Sequence, residues 1–257
     1  MPSNQHHLFS DKSKSAELQL ATILAKVTHH VHPLIVEKVV EANKIFRAEF
    51  STFCKNEDVI AQFFYEGSDC VFPGLRRPIN AEKDRGWKNR RVLSDDTILN
   101  DNTYPRHLWT YLSGGQKYSG GNNGTWNRYG LNSFELAHIF AHKCRERDFE
   151  LTLFRNHNNE IKPYSLFTSA SNVVLIPKWL PKPTDKSQSL KKIFYKRHLE
   201  LYGKITSLPG LSDFNEGCVP EWYSSITWSV PKLPNDWEQN IGELIAYRNR
   251  HLRMKYS

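Results

Sequence analysis

Two short segments of the sequence carry side chains that could do chemistry together. The first is an apolar run that contains His138 and ends in His142, with Lys143 directly after it. The second begins at Asn172, about thirty residues later, and leads into another short apolar run. Histidine is the natural general base near neutral pH because its free pKa lies close to neutrality. An amide oxygen is a suitable ligand for a hard cation such as Mg²⁺. The two segments therefore predict a site for metal-assisted hydrolysis.

The elements around these residues are predicted to bring them together. The run before His138 and the run after Asn172 both indicate short strands, and Ser187 is a typical N-cap for the helix that ends at Gly203. Glu135 is a second candidate metal ligand, but strand alternation places it on the opposite face from His138 and argues against it. A histidine inside an apolar strand is also compatible with a hydrogen-bonded core residue, and that alternative stays open.

The two segments resemble the motif of the HNH nuclease family. Residues 137–143, Ala-His-Ile-Phe-Ala-His-Lys, are similar to the family's Asp-His-Ile-x-Pro-His-Lys. Residues 166–167 and 172–176 are similar to the Leu-Phe and Asn-Leu-x-x-Leu that follow in that family. The resemblance covers about residues 126–203 and implies a ββα-metal core that cuts nucleic acid with a divalent cation, Mg²⁺ or Mn²⁺. It implies that His138 is the general base and that Asn172 orients the base or binds the metal.

The chain departs from the family pattern at three places. Ala137 stands where the family has a metal-binding aspartate, and residues 177–181 replace the family's Cys-x-x-Cys. The third signature residue would fall near 183–186, where Asp185 is the expected metal ligand and Lys186 an expected phosphate contact. A Mg²⁺ ion held by Asn172, one further oxygen and water molecules is compatible with this sequence.

The charge of the chain favours a polyanionic partner. The sequence has 35 Lys and Arg against 27 Asp and Glu, which gives a net charge of +8. Basic and aromatic residues alternate in the segment 67–130, where glycines and prolines predict loops and short strands. A solvated loop is the equally weighted alternative for this stretch. The residues expected to contact nucleic acid are Arg76, Arg77, Arg90, Arg91, Arg128, His142, Lys143 and Lys186.

The fold class predicted from these patterns is α+β. Residues 1–125 are expected to form a DNA-gripping region of N-terminal helices, 15–32 and from Pro33 onward, followed by the loop-rich basic stretch. Residues 126–203 are expected to form the ββα-metal core, and 204–257 a loop and a C-terminal helix that starts with a capping box of Asn235 and Glu238. The histidines at 29, 30 and 32 could bind a metal, but a solvated helix end is favoured.

The function predicted from the resemblance is that of a restriction-type endonuclease acting on double-stranded DNA. A homodimer is expected because cutting both strands generally requires two sites. The alternatives are a nucleic-acid-binding protein with reduced catalysis, and a ribonuclease or toxin with the same core. No apolar run reaches the length of a membrane span, and the four cysteines are scattered singly, so a cytoplasmic protein with no membrane contact is expected.

Overall fold

The chain combines α-helices with a small antiparallel sheet, which confirms the α+β class. The computed structural model describes residues 4–57, 60, 64–72, 103–116, 118–119, 123–140, 168–180, 187–206 and 219–257. The helices and strands in these ranges are α1 (Asn4–Val27), α2 (Pro33–Phe53), α3 (Thr103–Leu112), α4 (Thr125–Arg128), β1 (Phe134–His138), β2 (Val173–Pro177), α5 (Gln188–Tyr202) and α6 (Trp237–Tyr256). No helix in the described part of the chain has the length and apolarity needed to cross a membrane.

The sheet consists of β1 and β2, the two strands predicted from the apolar runs. They pair antiparallel, with Leu136 opposite Leu175 and His138 opposite Val173. On its other edge, β2 exchanges two backbone hydrogen bonds with His29, because Leu175 and His29 each donate an N–H to the other's carbonyl at 3.0 to 3.1 Å. Every residue of β2 is buried as a result. The junction between α1 and α2 therefore covers the edge of the sheet.

The two faces of the sheet pack against different groups of helices. Leu136 and Leu175 belong to a cluster with buried side chains of α2, α3 and α6. Val174 and Ile176 belong to a second cluster with side chains of α1 and α5, and Ala137 packs against it. The first cluster contains residues from all three of the segments 1–125, 126–203 and 204–257. Because side chains alternate along β1, Leu136 packs in the first cluster and its neighbour Ala137 packs against the second.

The helix α5 begins and ends as predicted. Ser187 caps it, because its hydroxyl accepts the Leu190 N–H at 3.2 Å, and the helix ends at Tyr202 before Gly203. The Ser187 hydroxyl also donates to the Glu17 carboxylate at 2.8 Å, which fixes the start of α5 against α1. Within the described residues, β1 and β2 are followed by α5, whose buried side chains share the second cluster with one face of the strand pair.

Two local predictions are wrong. Loops and short strands were expected to dominate 67–130, of which 73–102 lie outside the described residues, whereas Thr103–Leu112 forms α3. Pro105 misled the prediction, yet it lies in the first helical turn, where a backbone N–H has no partner within the helix. The capping box of Asn235 and Glu238 is also wrong, because α6 starts one residue later with Asp236 as N-cap, and no side-chain hydrogen bond caps it.

Arg248 of α6 is a buried cation inside the first cluster. Its Nη1 donates to the Asn43 amide oxygen and to the carbonyls of Cys70 and Val71, at 3.3 and 3.5 Å. The guanidinium carbon lies 5.2 Å from the centre of the Phe46 ring, in a cation–π geometry. Burial lowers the pKa of Arg248 to about 10, so the side chain stays charged near neutral pH. Arg248 therefore ties α6 to α2 and to the segment 68–72.

We expect Arg248→Ala to lower the free energy of unfolding by about 3 kcal/mol, because it opens a cavity and removes the buried donor from an amide and two carbonyls. Arg250→Ala is the matched control, since Arg250 is exposed on the same helix, and it should change stability by less than about 0.5 kcal/mol. Urea unfolding of both variants measures the difference. Equal stability of the two variants would contradict a structural role for the buried guanidinium.

Candidate functional site

His138 is the last residue of β1, and its backbone is fixed against the start of β2. It pairs with Val173, and the next residue, Ile139, donates its N–H to the Asn172 carbonyl at 2.9 Å. The strand pairing thus continues one residue beyond β1. The His138 side chain is half-buried, and alternation places it on the face of Leu136. Sequence reasoning expected His138 and Asn172 to be neighbours, and the pairing makes them so.

The Asn172 side chain holds the backbone that follows His138. Its Oδ1 accepts the Phe140 N–H at 2.8 Å, and its Nδ2 donates to the Phe140 carbonyl at 3.4 Å. Asn172 is 1% exposed and lies in the short 3₁₀ helix Ala170–Asn172 that precedes β2. The buried Asn172 amide therefore forms hydrogen bonds with both the N–H and the carbonyl of Phe140, two positions after His138. The oxygen expected to bind a metal therefore accepts a backbone hydrogen bond in this structure.

Phe140 anchors the same turn to α5. Its ring stacks on Tyr195 with centroids 4.8 Å apart, and it meets the His198 ring edge-on at 4.9 Å. Phe140 itself is 1% exposed. The chain after His138 is thus fixed by hydrogen bonds on the β2 side and by aromatic packing on the α5 side.

His198 is a buried histidine that sequence reasoning missed. Its Nδ1 lies 3.2 Å from the Ser171 carbonyl, which can only accept, so Nδ1 carries the proton in this contact. Burial lowers the pKa of His198 to about 3, against an ordinary value of 6.5. The imidazole is therefore neutral near pH 7 and supports the turn that presents Asn172. Its spacing from Leu190 and Phe194 on the buried face of α5 was the signal available in the sequence.

Asp69 is a second residue that sequence reasoning missed. Its Oδ2 accepts the Ser171 N–H at 2.7 Å, and its carbonyl accepts the Ala170 N–H at 3.0 Å. The next residue, Cys70, contacts the Thr168 hydroxyl at 3.2 Å through its sulfur. Asp69 is fully buried, and desolvation raises its pKa. Hydrogen bonds from the segment 68–72 therefore hold the turn 168–172 in place. This turn carries Asn172.

The three neighbouring histidines His29, His30 and His32 have separate roles. His32 accepts a backbone N–H at the start of α2, and His29 pairs with β2. His30 is 4% exposed, with its ring stacked on Phe194 and edge-on to Trp228. The solvated helix end expected for this cluster is wrong for His30, because the chain entering α2 crosses the second hydrophobic cluster. Burial, with a smaller contribution from the charge of Arg197, lowers the pKa of His30 to about 3.

Because of the buried histidines His30 and His198, we expect the folded protein to lose stability in mild acid. In the folded protein the pKa values of His30 and His198 are about 3, whereas the ordinary value is 6.5. The unfolded chain binds the protons first, so stability is present above pH 6.5 and is lost progressively as the pH falls toward 3. We expect each histidine to lower the free energy of unfolding by about 2 kcal/mol between pH 7.5 and pH 5.

Urea unfolding at the two pH values measures this loss. His30→Phe should remove about half of the loss in unfolding free energy that the two histidines cause. A stability that is independent of pH between these values would contradict the buried, neutral state of both rings.

Some of the remaining predicted site residues are described by the structure, and the others are not. Ala137 faces the apolar side chains of α5, and Glu135 is half-buried opposite Ile176 on the same face as Ala137. Arg128 is exposed at the end of α4. The other predicted site residues lie outside the described residues: Arg76, Arg77, Arg90, Arg91, His142, Lys143, Asp185 and Lys186.

The predicted metal ligands are Asn172 and Asp185. Within the described ranges, no group of three or more His, Cys, Asp or Glu side chains could hold a metal ion. Asn172 lies in those ranges, and its Oδ1 accepts the Phe140 N–H. An amide oxygen has two lone pairs, so this hydrogen bond by itself does not exclude a cation. Asp185 lies outside the described residues.

Comparison of the chain with protein-family models, with curated proteins and with solved structures found no match. The proposed function therefore depends on the residues around His138 and on the resemblance of two sequence segments.

Proposed function

We propose that the protein is an HNH-type endonuclease that hydrolyses phosphodiester bonds of duplex DNA with Mg²⁺ or Mn²⁺. The observation that carries the proposal is the pair of hydrogen bonds between the Asn172 amide and the Phe140 backbone, directly after His138. An asparagine that orients the base is what the resemblance implies for this position. The order β1, β2, α5 and the net charge of +8 are compatible with the same assignment.

In this proposal His138 acts as the general base. The neutral imidazole removes a proton from a water molecule, whose oxygen attacks the phosphorus atom as the bond to the leaving oxygen breaks. The leaving oxygen takes up a proton from solvent. Asn172 fixes the backbone after His138 and thereby helps to position the residue that carries the base. By the sequence resemblance, Asn172 and Asp185 would hold the divalent cation, which would neutralise the charge that develops on the phosphate.

The restriction-type specificity and the homodimer are parts of the same proposal. Cutting both strands of a duplex generally needs two sites, and a two-fold axis suits a palindromic target. Exposed Arg128 is a candidate phosphate contact near the start of β1.

A nucleic-acid-binding protein with reduced catalysis is the second candidate. It is favoured by Ala137, which replaces the family's acidic ligand and packs against apolar side chains of α5. A ribonuclease or toxin with the same core would share the geometry of His138 and Asn172 and would differ in substrate.

Cleavage assays with three substrates distinguish these candidates. Labelled duplex DNA, single-stranded DNA and RNA are incubated with the protein in Mg²⁺, in Mn²⁺ and in EDTA. The proposal predicts cleavage of duplex DNA that EDTA abolishes. Salt-sensitive binding without cleavage in either metal supports the second candidate, and cleavage confined to RNA supports a ribonuclease.

A further inference from the structure

The turn that ends β2 presents an exposed tryptophan on a fixed backbone. The Leu180 N–H bonds to the Pro177 carbonyl at 3.0 Å, and the Lys178 N–H bonds to the Ser133 carbonyl at 2.9 Å. Pro177 and Leu180 are both buried, so the turn is anchored at each end. Between them Lys178 is exposed and Trp179 is 70% exposed.

Trp179 is a large aromatic side chain that remains exposed although its turn is anchored at both ends. Tryptophan is among the side chains whose burial stabilises a protein most, and it is enriched at binding surfaces. Leu180, the next residue, is buried in the second hydrophobic cluster, so this turn does bury its apolar side chains where the packing allows. The Trp179 ring instead remains mostly in solvent, on a backbone that is anchored on both sides. An exposed ring on a fixed backbone can stack on a flat partner without rearrangement of the main chain.

The turn is linked through Ser133 to a segment with a basic and an aromatic residue. Ser133, which accepts the Lys178 N–H, ends the short helix Leu131–Ser133 that follows α4. Arg128 and Tyr129, which precede this short helix, are exposed, and Tyr129 has 41% of its surface in solvent. We refer to Lys178, Trp179, Arg128 and Tyr129, the two exposed cations and two exposed aromatic rings on these linked segments, as the patch.

The charge of this patch favours one kind of partner. Glu135, which is half-buried, is the acidic side chain within the adjacent strand β1. Two exposed cations beside exposed rings match a polyanion with flat bases better than they match a second copy of this basic chain. The patch suits an unpaired nucleic-acid strand, because a base must be unstacked before a side chain can stack on it.

We propose that Trp179 stacks on an unpaired base of a bound nucleic acid, while Lys178 and Arg128 neutralise adjacent phosphates. This inference rests on the proposed function, which supplies the nucleic-acid partner, and it adds a single-stranded segment to the substrate. Ser133 and His138 are five positions apart, which corresponds to about 17 Å along an extended chain. A nucleic-acid strand with the spacing it has in a duplex, about 3.4 Å per nucleotide, covers that distance in about five nucleotides.

Binding measured in EDTA separates this inference from catalysis. A labelled oligothymidylate and a duplex are titrated with the full-length protein, with fluorescence anisotropy as the readout. We expect Trp179→Ala to weaken binding of the single strand about tenfold and Trp179→Phe to weaken it less than about threefold, because any aromatic ring can stack. Val230→Ala is the control, since Val230 is 80% exposed and is neither aromatic nor charged, and it should bind like the wild type.

Salt dependence tests the two cations separately. Lys178→Gln and Arg128→Gln should each reduce the slope of log K against log salt by about one, with little change in the preference between strands. Equal binding of the single strand by the wild type and Trp179→Ala overturns the inference, even if the protein cleaves DNA. Self-association of the wild type that Trp179→Ala abolishes in sedimentation also overturns it, because the patch would then bind a second copy.

The two proposals can fail independently. Tight binding of the oligothymidylate through Trp179 without any cleavage in Mg²⁺ or Mn²⁺ supports the stacking site and removes the nuclease assignment. A protein that binds neither strand form overturns both proposals.

Discussion

Replacing His138 with alanine is expected to lower the rate of DNA cleavage by about 10²- to 10⁴-fold, which is the range that a positioned general base contributes. His138 is only half-buried at the end of β1, so the variant should fold. Single-turnover cleavage of a labelled duplex in Mg²⁺ measures the rate, and anisotropy in EDTA measures binding. Binding should be within about threefold of the wild type, since the imidazole acts in the reaction and not in phosphate contact.

The matched control for this variant is Glu135→Gln. Glu135 lies on the same strand but on the opposite face, with Ala137 and away from Leu136. Its replacement should leave the cleavage rate within about threefold, because sequence alternation argues against it as a metal ligand. A large loss of rate in Glu135→Gln together with full activity in His138→Ala would transfer the catalytic role from the histidine to the carboxylate.

Asn172→Ala is expected to affect both stability and rate. It leaves the Phe140 N–H and carbonyl without their buried partner, which should lower the free energy of unfolding by about 1 to 3 kcal/mol. It also frees the backbone after His138, and a displacement of about 1 Å at a catalytic group can lower a rate about a hundredfold. Urea unfolding and single-turnover cleavage, performed where the variant is folded, separate the two effects.

Asn43→Ala provides the comparison for Asn172→Ala. Asn43 is also a buried asparagine whose Nδ2 donates to backbone carbonyls, those of Ser68 and Cys70 at 2.7 and 2.9 Å. Its loss should destabilise the protein to a similar extent. The Asn43 amide acts on the turn after His138 indirectly, through the segment 68–72, so the folded variant should lose much less of the cleavage rate than Asn172→Ala does. An equal loss of rate in the two asparagine variants would reduce the role of Asn172 to stability.

The elements around the site were predictable because their signals are local. The alternation before His138, the apolar run after Asn172 and the Ser187 cap each depend on neighbours within a few residues, and the structure has all three elements. The helix α3 was missed because Pro105 was taken as a loop residue, although the first turn of a helix tolerates proline. Neighbouring residues thus predicted which segments form strands and helices. The exception was Pro105, which is compatible both with a loop and with the first turn of a helix.

The supporting residues were not predictable because their partners are distant in sequence. Asp69 bonds to a backbone N–H 102 residues away, and Arg248 bonds to an amide 205 residues away. A single sequence contains no signal for such pairs, and an isolated acidic or basic residue is usually solvated. His198 is closer, 27 residues from its partner carbonyl, but its burial depends on how α5 packs against Phe140. The strands around the candidate site were therefore predicted from the sequence, while the residues that hold them in place were not.

Incubation of the wild-type protein with a mapped plasmid and Mg²⁺ tests the central claim most directly. The claim is that this basic α+β protein hydrolyses phosphodiester bonds with His138 as base. We expect supercoiled plasmid to be converted into linear DNA and a reproducible set of fragments, with no conversion in EDTA or with His138→Ala. Intact supercoiled plasmid after incubation in both Mg²⁺ and Mn²⁺, or equal fragments from His138→Ala, would contradict it.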